Sequence, residues 1–267
     1  MEKKIYYNPY QPDYCRQSNY RSYTIDEDNL LYGIVYEIYE FSNEGVSSDL
    51  RLKALPDGVL DMIIIFRDND VDMWVGGGDG KLYDVCYQNV TRIIGMGLVP
   101  GVIKSILPCN AEDVSTSGRV FLSGLQQFIR VKKDLLFAET FEERMELVQN
   151  LIFSLMFEQS GSSAVIRQSV NQIARHLEEF RVEEIASEAG YSLRYYRKLF
   201  LENVGYSPKK YMRIVRFQES YKALLRTPDA SLTDISVEYG YYDLPHMNKE
   251  YQLLTGNLPC ELKQIFA

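Results

Sequence analysis

The fold of this chain is decided by a stretch near its C-terminal end, GYYDLPHMNKEY at residues 240–251, closed by TGNLP at 255–259. The same pattern occurs once before, starting at Gly190 and closing at Pro208. The two copies align residue by residue, except that the later copy has one additional residue, Tyr242. Such a repeat indicates that one small structural unit is used twice.

Each copy has the residue types of two helices joined by a tight turn. A short helical segment ends at Gly190 or Gly240, and glycine adopts the positive φ that a sharp turn requires. Ser192 or Asp243 then stands where the N-cap of the next helix is expected. This arrangement is a helix-turn-helix motif, whose second helix enters the major groove of DNA. We therefore predict two DNA-reading helices.

Residues 164–265 resemble the DNA-binding domain of the AraC/XylS family of bacterial transcription regulators. The resemblance implies two helix-turn-helix units joined by a long helix, here Pro208 to Leu225, and a cytoplasmic regulator that activates transcription more often than it represses it. It also implies RNA polymerase as a partner besides double-stranded DNA. The second copy of the repeat departs from the family pattern at Lys249, where arginine is commoner, and at Leu244-Pro245 early in its reading helix.

The DNA contacts are expected from the outward faces of the two reading helices. Apolar residues at three-to-four spacing hold each helix in place, which leaves the intervening side chains exposed. Arginine pairs with guanine, asparagine with adenine, and lysine suits phosphate. His246 fits either a DNA contact or a packing role. The predicted DNA-binding residues are Arg194, Arg197, Lys198, Pro245, His246, Asn248 and Lys249.

The first half of the chain predicts a β-rich domain, so that the whole chain has an α+β fold. Short β-type segments lie at residues 30–41, 59–66, 73–75 and 91–99. A turn signal precedes the second and glycine or proline turns follow the last two, which favours a small antiparallel sandwich or barrel with flanking helices. The polar stretch 159–163 is typical of a linker. We predict a regulatory, effector-binding or dimerisation domain at 1–160 and an all-α DNA-binding domain at 161–267.

The net charge of −8 belongs to this first half, because residues 161–267 are nearly neutral. The helix predicted after the capping box at Thr140 carries an apolar stripe that includes Val148 and Ile152. The stripe fits packing onto its own domain or a homodimer interface through residues 1–160. On the dimer hypothesis, charged residues at these two positions would weaken self-association.

Two features of the first half raise the question of a small-molecule effector. Tyrosines are concentrated at its start, and a tyrosine side chain suits a ligand pocket, a protein interface or simple wrapping of the sheet. They are Tyr6, Tyr7, Tyr10, Tyr14, Tyr20, Tyr23, Tyr32, Tyr36 and Tyr39. The segments LPDG at 55–58 and GMGLVPG at 95–101 also resemble motifs of an N-terminal domain type found in such regulators. Turns that build the sheet explain them better than a ligand site.

Other functional classes have weaker support in the sequence. Cys109 follows Pro108, as in DNA-repair proteins that accept a methyl group, but the histidine that would assist thiolate formation is missing. A ligand-binding module without a transcriptional role is a second alternative, which the duplicated motif disfavours. Histidine occurs only at 176 and 246, and the four cysteines form no CxxC pair. We expect no catalytic residues, metal site, cofactor, secretory signal or membrane segment.

Overall fold

A computed structural model describes residues 7–43, 49–156, 164–175, 181–227 and 229–266. It confirms the α+β fold: eight strands lie in the described part of the first half, and the described residues after 163 form helices and no strand. The strands are β1 (Arg21–Thr24), β2 (Val35–Ser42), β3 (Leu50–Ala54), β4 (Leu60–Arg67), β5 (Asp70–Gly76), β6 (Tyr83–Tyr87), β7 (Arg92–Leu98) and β8 (Arg119–Phe121).

The described helices comprise five in the first half and seven in the second. The first five are α1 (Pro12–Cys15), α2 (Ile103–Ile106), α3 (Ala111–Ser117), α4 (Gln126–Phe137) and α5 (Phe141–Met156). The others are α6 (Ala164–Arg175), α7 (Val182–Glu188), α8 (Leu193–Val204), α9 (Pro208–Arg226), α10 (Leu232–Glu238), α11 (Leu244–Thr255) and α12 (Pro259–Ile265). No helix in the described ranges is long and apolar enough to cross a membrane. The predicted linker at 159–163 lies outside the described residues.

Two antiparallel sheets build the first half. The larger has the strand order β1-β2-β7-β4-β5-β8, and the smaller pairs β3 with β6. Ile38, Met62 and Met96 share one face of the larger sheet, where they join the main core. Ile63 and Trp74 share the other face, where they join a second cluster that includes side chains of β3 and β6. The predicted sandwich is confirmed, and its two layers enclose this second cluster.

One predicted strand begins later than the sequence suggested. The β-rich composition from residue 30 onward predicted a strand over 30–41, but β2 begins only at Val35. The side chain of Asn29 accepts a hydrogen bond from the Leu31 N–H at 2.9 Å, and Gly33 has a φ of 82°. These local interactions form a turn, which the apolar composition of the segment did not indicate.

Helix α5 packs inside its own half of the chain. Its predicted capping box is confirmed, because the Glu143 N–H donates to Thr140 Oγ1 at 3.2 Å and the Thr140 N–H to Glu143 Oε2 at 3.0 Å. Val148 and Ile152 have no exposed surface. The hypothesis that these two residues carry a dimer interface is therefore wrong, since charge there would disrupt the core itself.

The two halves of the chain pack against each other. The main apolar cluster is continuous from the sheet to α9 and α11. Gly58 lies so close to Tyr211 of α9 that a Cβ atom would stand 2.9 Å from its ring. Gln218 of α9 accepts the Tyr10 N–H at 2.9 Å and donates to the Pro56 carbonyl at 3.0 Å. Glycine at position 58 is required by this approach as well as by its φ of 73°.

Candidate nucleic-acid interface

The duplicated sequence folds into two helix pairs with the same turn. After α7 the Tyr191 N–H donates to the Ala186 carbonyl at 2.8 Å, and after α10 the Tyr241 N–H donates to the Ser236 carbonyl at 2.9 Å. The intervening glycines, Gly190 and Gly240, have φ angles of 71° and 73°. The predicted left-handed turns are confirmed.

Both reading helices begin and end as the repeat predicts. Ser192 Oγ accepts the Tyr195 N–H at 3.3 Å at the start of α8, and Asp243 Oδ1 accepts the His246 N–H at 2.8 Å at the start of α11. Glycines with φ of 87° and 72° end the two helices at positions 205 and 256. Pro245 lies in the first turn of α11, where its missing N–H removes no helical hydrogen bond.

Helix α9 connects the two units through buried aromatic residues. Near its start, the Tyr211 ring packs edge-on against Phe200 of α8 with ring centroids 5.9 Å apart. Further along, Phe217 packs in the same way against Tyr251 of α11 at 4.8 Å, and the Tyr251 hydroxyl hydrogen-bonds Ser220 at 2.8 Å. A helix of 19 residues is about 28 Å long, and α9 contacts α8 near its N-terminal end and α11 through its middle.

The predicted contact residues of α8 lie on an exposed face. Arg194, Arg197 and Lys198 are all exposed, whereas Tyr196 and Phe200 are fully buried. One guanidinium nitrogen of Arg197 lies 3.6 Å from Glu183 of α7, and Lys198 Nζ lies 3.8 Å from Glu202. Exposed ion pairs of this kind are worth less than about 1 kcal/mol, so both cations can exchange them for DNA.

The predicted residues of α11 divide into two groups. Pro245 and Lys249 are exposed, whereas His246 and Asn248 are partly buried. His246 is held within the protein, because its Nδ1 accepts the Tyr242 N–H at 3.1 Å and its ring packs edge-on against Tyr241. Among the two roles left open for His246, this geometry favours packing of the turn.

Two exposed tyrosines beside these residues were missed by the sequence reasoning. Tyr195 on α8 has 51% of its surface exposed, and Tyr242, in the turn before α11, has 90% exposed. The signal for Tyr242 was present, because it is the additional residue of the second copy. Tyr195 offered no signal, since it stands next to the buried Tyr196 in a run of mixed polarity.

The cysteine that suggested methyl transfer has the wrong environment for a nucleophile. Cys109 lies between α2 and α3, where burial, and then the nearby Asp113, raises the pKa of its thiol to about 11. A methyl-accepting cysteine reacts as a thiolate, so its pKa is expected to be lowered. The geometry does not support this alternative.

A comparison with known protein families identifies a domain in the C-terminal half of the chain. The model of a helix-turn-helix domain matches residues 185–265, which contain α8 to α12 and both glycine turns. This match confirms a helix-turn-helix domain at residues 185–265, similar to that of the AraC/XylS family, as the sequence predicted.

Curated relatives match over part of the chain. The transcriptional activator RhaS of Klebsiella pneumoniae is 28% identical over 112 residues, which are 42% of this chain and 40% of the relative. The XylDLEGF operon transcriptional activator of Pseudomonas putida is 32% identical over 101 residues, which are 35% of this chain and 31% of the relative. The matches thus span less than half the length of these relatives.

Solved structures of similar proteins include ToxT of Vibrio cholerae, which is 11% identical and covers 94% of this chain and 98% of its own. Its TM-score is 0.40. The C-terminal domain of AraT, a response regulator of Geobacillus stearothermophilus, is 18% identical with a TM-score of 0.36 and covers 39% of this chain and 86% of its own.

Proposed function

We propose that the protein is a sequence-specific DNA-binding transcription regulator that activates its target genes. The observation that carries this proposal is the pair of reading helices on one rigid connecting helix, α9. Two such helices reach successive major-groove segments when they stand about one helical turn of DNA apart, roughly 34 Å. The curated relatives that match part of this chain are named as operon regulators and activators.

The two reading helices have different roles in this proposal. Arg194 and Arg197 lie three positions apart on the exposed face of α8, and each pairs with a guanine through two hydrogen bonds. Lys198 and Lys249 bind phosphate, and the partly buried Asn248 reads adenine. Pro245, His246 and Tyr242 shape the start of α11. Helix α8 therefore supplies most of the sequence preference.

Residues 1–160 are proposed as the regulatory domain and residues 161–267 as the DNA-binding domain. The regulatory domain binds a small-molecule effector, and it is also the part through which a homodimer would form. RNA polymerase is the proposed partner of the DNA-bound protein, which acts in the bacterial cytoplasm. The contacts of Tyr211 and Gln218 of α9 with the sheet domain support a regulatory role for that domain, because a conformational change in the sheet domain would displace α9.

Selection of binding sites from randomised DNA tests this proposal. The parent protein should enrich one motif, and Arg194→Ala or Arg197→Ala should each cost about 1–3 kcal/mol on that motif and relax preference at one base pair. Lys198→Ala should weaken binding to all sequences alike and reduce its dependence on salt. Arg130→Ala, which removes an exposed arginine from α4, is the matched control and should change nothing. An unchanged motif in both arginine variants of α8 would show that this helix does not read DNA.

A further inference from the structure

A cavity of about 310 Å³ lies between the larger sheet, helix α1 and the C-terminal end of α9. This volume is at the lower end of the range for small-molecule sites. Its lining includes five tyrosines, among them Tyr14, Tyr20, Tyr36 and Tyr39, and the two aspartates Asp57 and Asp61. A smaller cavity of about 70 Å³ shares both aspartates and extends between the two sheets. The tyrosines are drawn from the cluster at the start of the chain.

The pairing of the strands opens space around Asp61. Glu37 of β2 is paired with Gly97 of β7, Gly97 with Asp61 of β4, and Asp61 with Gly76 of β5. Paired residues stand on the same face of a sheet, so Asp61 has a glycine on either side. The Tyr36 ring lies over Gly97 and the Trp74 ring lies beside Gly76, so aromatic side chains use the space that the two glycines leave next to the Asp61 carboxylate.

The glycines of β7 also position two of the tyrosine rings. A Cβ atom on Gly95 would lie 2.0 Å from the Tyr39 ring, and one on Gly97 would lie 2.2 Å from the Tyr36 ring. Both rings consequently lie directly against the backbone of β7, which only glycine permits. A β-bulge between Val35 and Glu37 contains Tyr36 and redirects its side chain. The GMGLVPG motif thus builds the aromatic wall of the cavity.

The two aspartates differ in how their oxygens are satisfied. Asp57 Oδ2 accepts Gln11 Nε2 at 2.6 Å, and Asp57 Oδ1 accepts the Val59 N–H at 3.2 Å. Asp61 Oδ2 accepts the Tyr39 hydroxyl at 2.9 Å. Asp61 Oδ1 is buried and finds no hydrogen-bond donor among the described residues. An acceptor in this state is costly to bury unless a ligand supplies the missing donor.

The charges around Asp61 favour a positive donor. Burial, and then the nearby Asp57, raises the pKa of Asp61 to about 7. Glu37 adds a third carboxylate to the lining. The cations Lys222 and Arg226 line the side formed by α9, where Lys222 donates to the Asn8 carbonyl and to Glu219. Within the described ranges, no three acidic, cysteine or histidine side chains converge as ligands for a metal ion.

We propose that this cavity binds a small organic cation whose primary ammonium group donates a hydrogen bond to Asp61 Oδ1. The carboxylates of Asp57 and Glu37 attract its charge, and the tyrosine rings contact its carbon atoms and the ammonium itself through cation–π interactions. An N–H donor is required because Oδ1 lacks one, and for this reason a quaternary ammonium binds more weakly. Binding of the cation does not depend on the proposed function. Only its role as the effector rests on the proposed regulatory role of residues 1–160.

Calorimetry on the full chain without DNA tests the site, so that failure here is distinguishable from failure of DNA binding. The probes are methylammonium, butylammonium and benzylammonium, with benzyl alcohol, benzoate and benzyltrimethylammonium as neutral, anionic and quaternary controls. At least one primary ammonium should bind at least tenfold more tightly than the neutral, anionic and quaternary controls. No binding of any primary ammonium, or equal binding of benzyl alcohol and benzylammonium, would overturn the proposal.

Two variants that each replace one aspartate by asparagine test whether the ammonium binds at Asp61. Asp61→Asn should weaken ammonium binding at least tenfold, whereas Asp134→Asn, at an exposed position on α4, should leave it unchanged. The melting temperature of each variant without ligand shows that it is folded. Retained binding in folded Asp61→Asn would contradict the assignment, as would a Ca²⁺-induced or Mg²⁺-induced melting shift that depends on Asp61.

Discussion

At the scale of single residues, Gly190 shows how backbone conformation alone can fix a functional motif. Its φ is 71°, and a Cβ atom there would meet nothing within 4 Å. Gly190→Ala should therefore lower the free energy of unfolding by about 1 kcal/mol through backbone strain, without any steric clash. Gly124, which also has open space but no positive φ, is the matched control. Denaturant unfolding should show a loss for Gly190→Ala and none for Gly124→Ala; equal stabilities would contradict the turn assignment.

Asp61 gives a second prediction at this scale, which concerns pH. Its pKa is raised from 3.8 to about 7 by burial and by Asp57, so the folded state favours the neutral acid. The resulting contribution to stability is complete below pH 3.8 and is lost as the pH rises through 7. Asp61→Asn cannot ionise, so its melting temperature should exceed that of the parent at pH 8 and the gain should vanish towards pH 4. A parent and variant that melt alike at pH 8 would show that Asp61 carries no such penalty.

At the scale of elements, the sequence predicted best where local signals agree. Caps, glycine turns and apolar spacing all indicate the same helices after residue 181, and α10 has the predicted bounds. The edge strands β1 and β8 were missed, because they are short and largely exposed and so lack apolar alternation. The ribbon of β3 and β6 was missed because the residues of each strand pair only with distant ones.

The cap of α11 provides a test of one element. Asp243→Ala removes the acceptor for the His246 N–H and should cost about 1 kcal/mol in the free energy of unfolding. Asp243→Asn should retain most of the stability, because asparagine caps helices about as well. Thermal and denaturant melts of both variants separate the loss of the cap from the loss of charge. Equal losses in the two variants would mean that charge, and not capping, matters at this position.

At the scale of the whole molecule, the halves are more closely joined than the sequence indicated. A polar linker and different charge balances suggested separate units, yet Lys104 of α2 lies 2.6 Å from Glu202 of α8, and the Leu82 N–H donates to the Leu254 carbonyl of α11 at 2.8 Å. The sequence could predict the exposed face of α8, since a helical repeat specifies its own faces. It could not predict the cavity, because Asp61, Gly97 and Tyr39 meet only through strand pairing.

The central claim is that one chain presents two DNA-reading helices at a spacing fixed by α9. Hydroxyl-radical footprinting on the selected DNA site measures that spacing directly. We expect two protected segments on one face of the duplex, about 10 base pairs apart. In a protein that combines Arg194→Ala and Arg197→Ala, base changes should no longer alter the binding affinity in one of these segments, and should still alter it in the other. A single protected segment, or two segments whose separation varies from site to site, would contradict the claim.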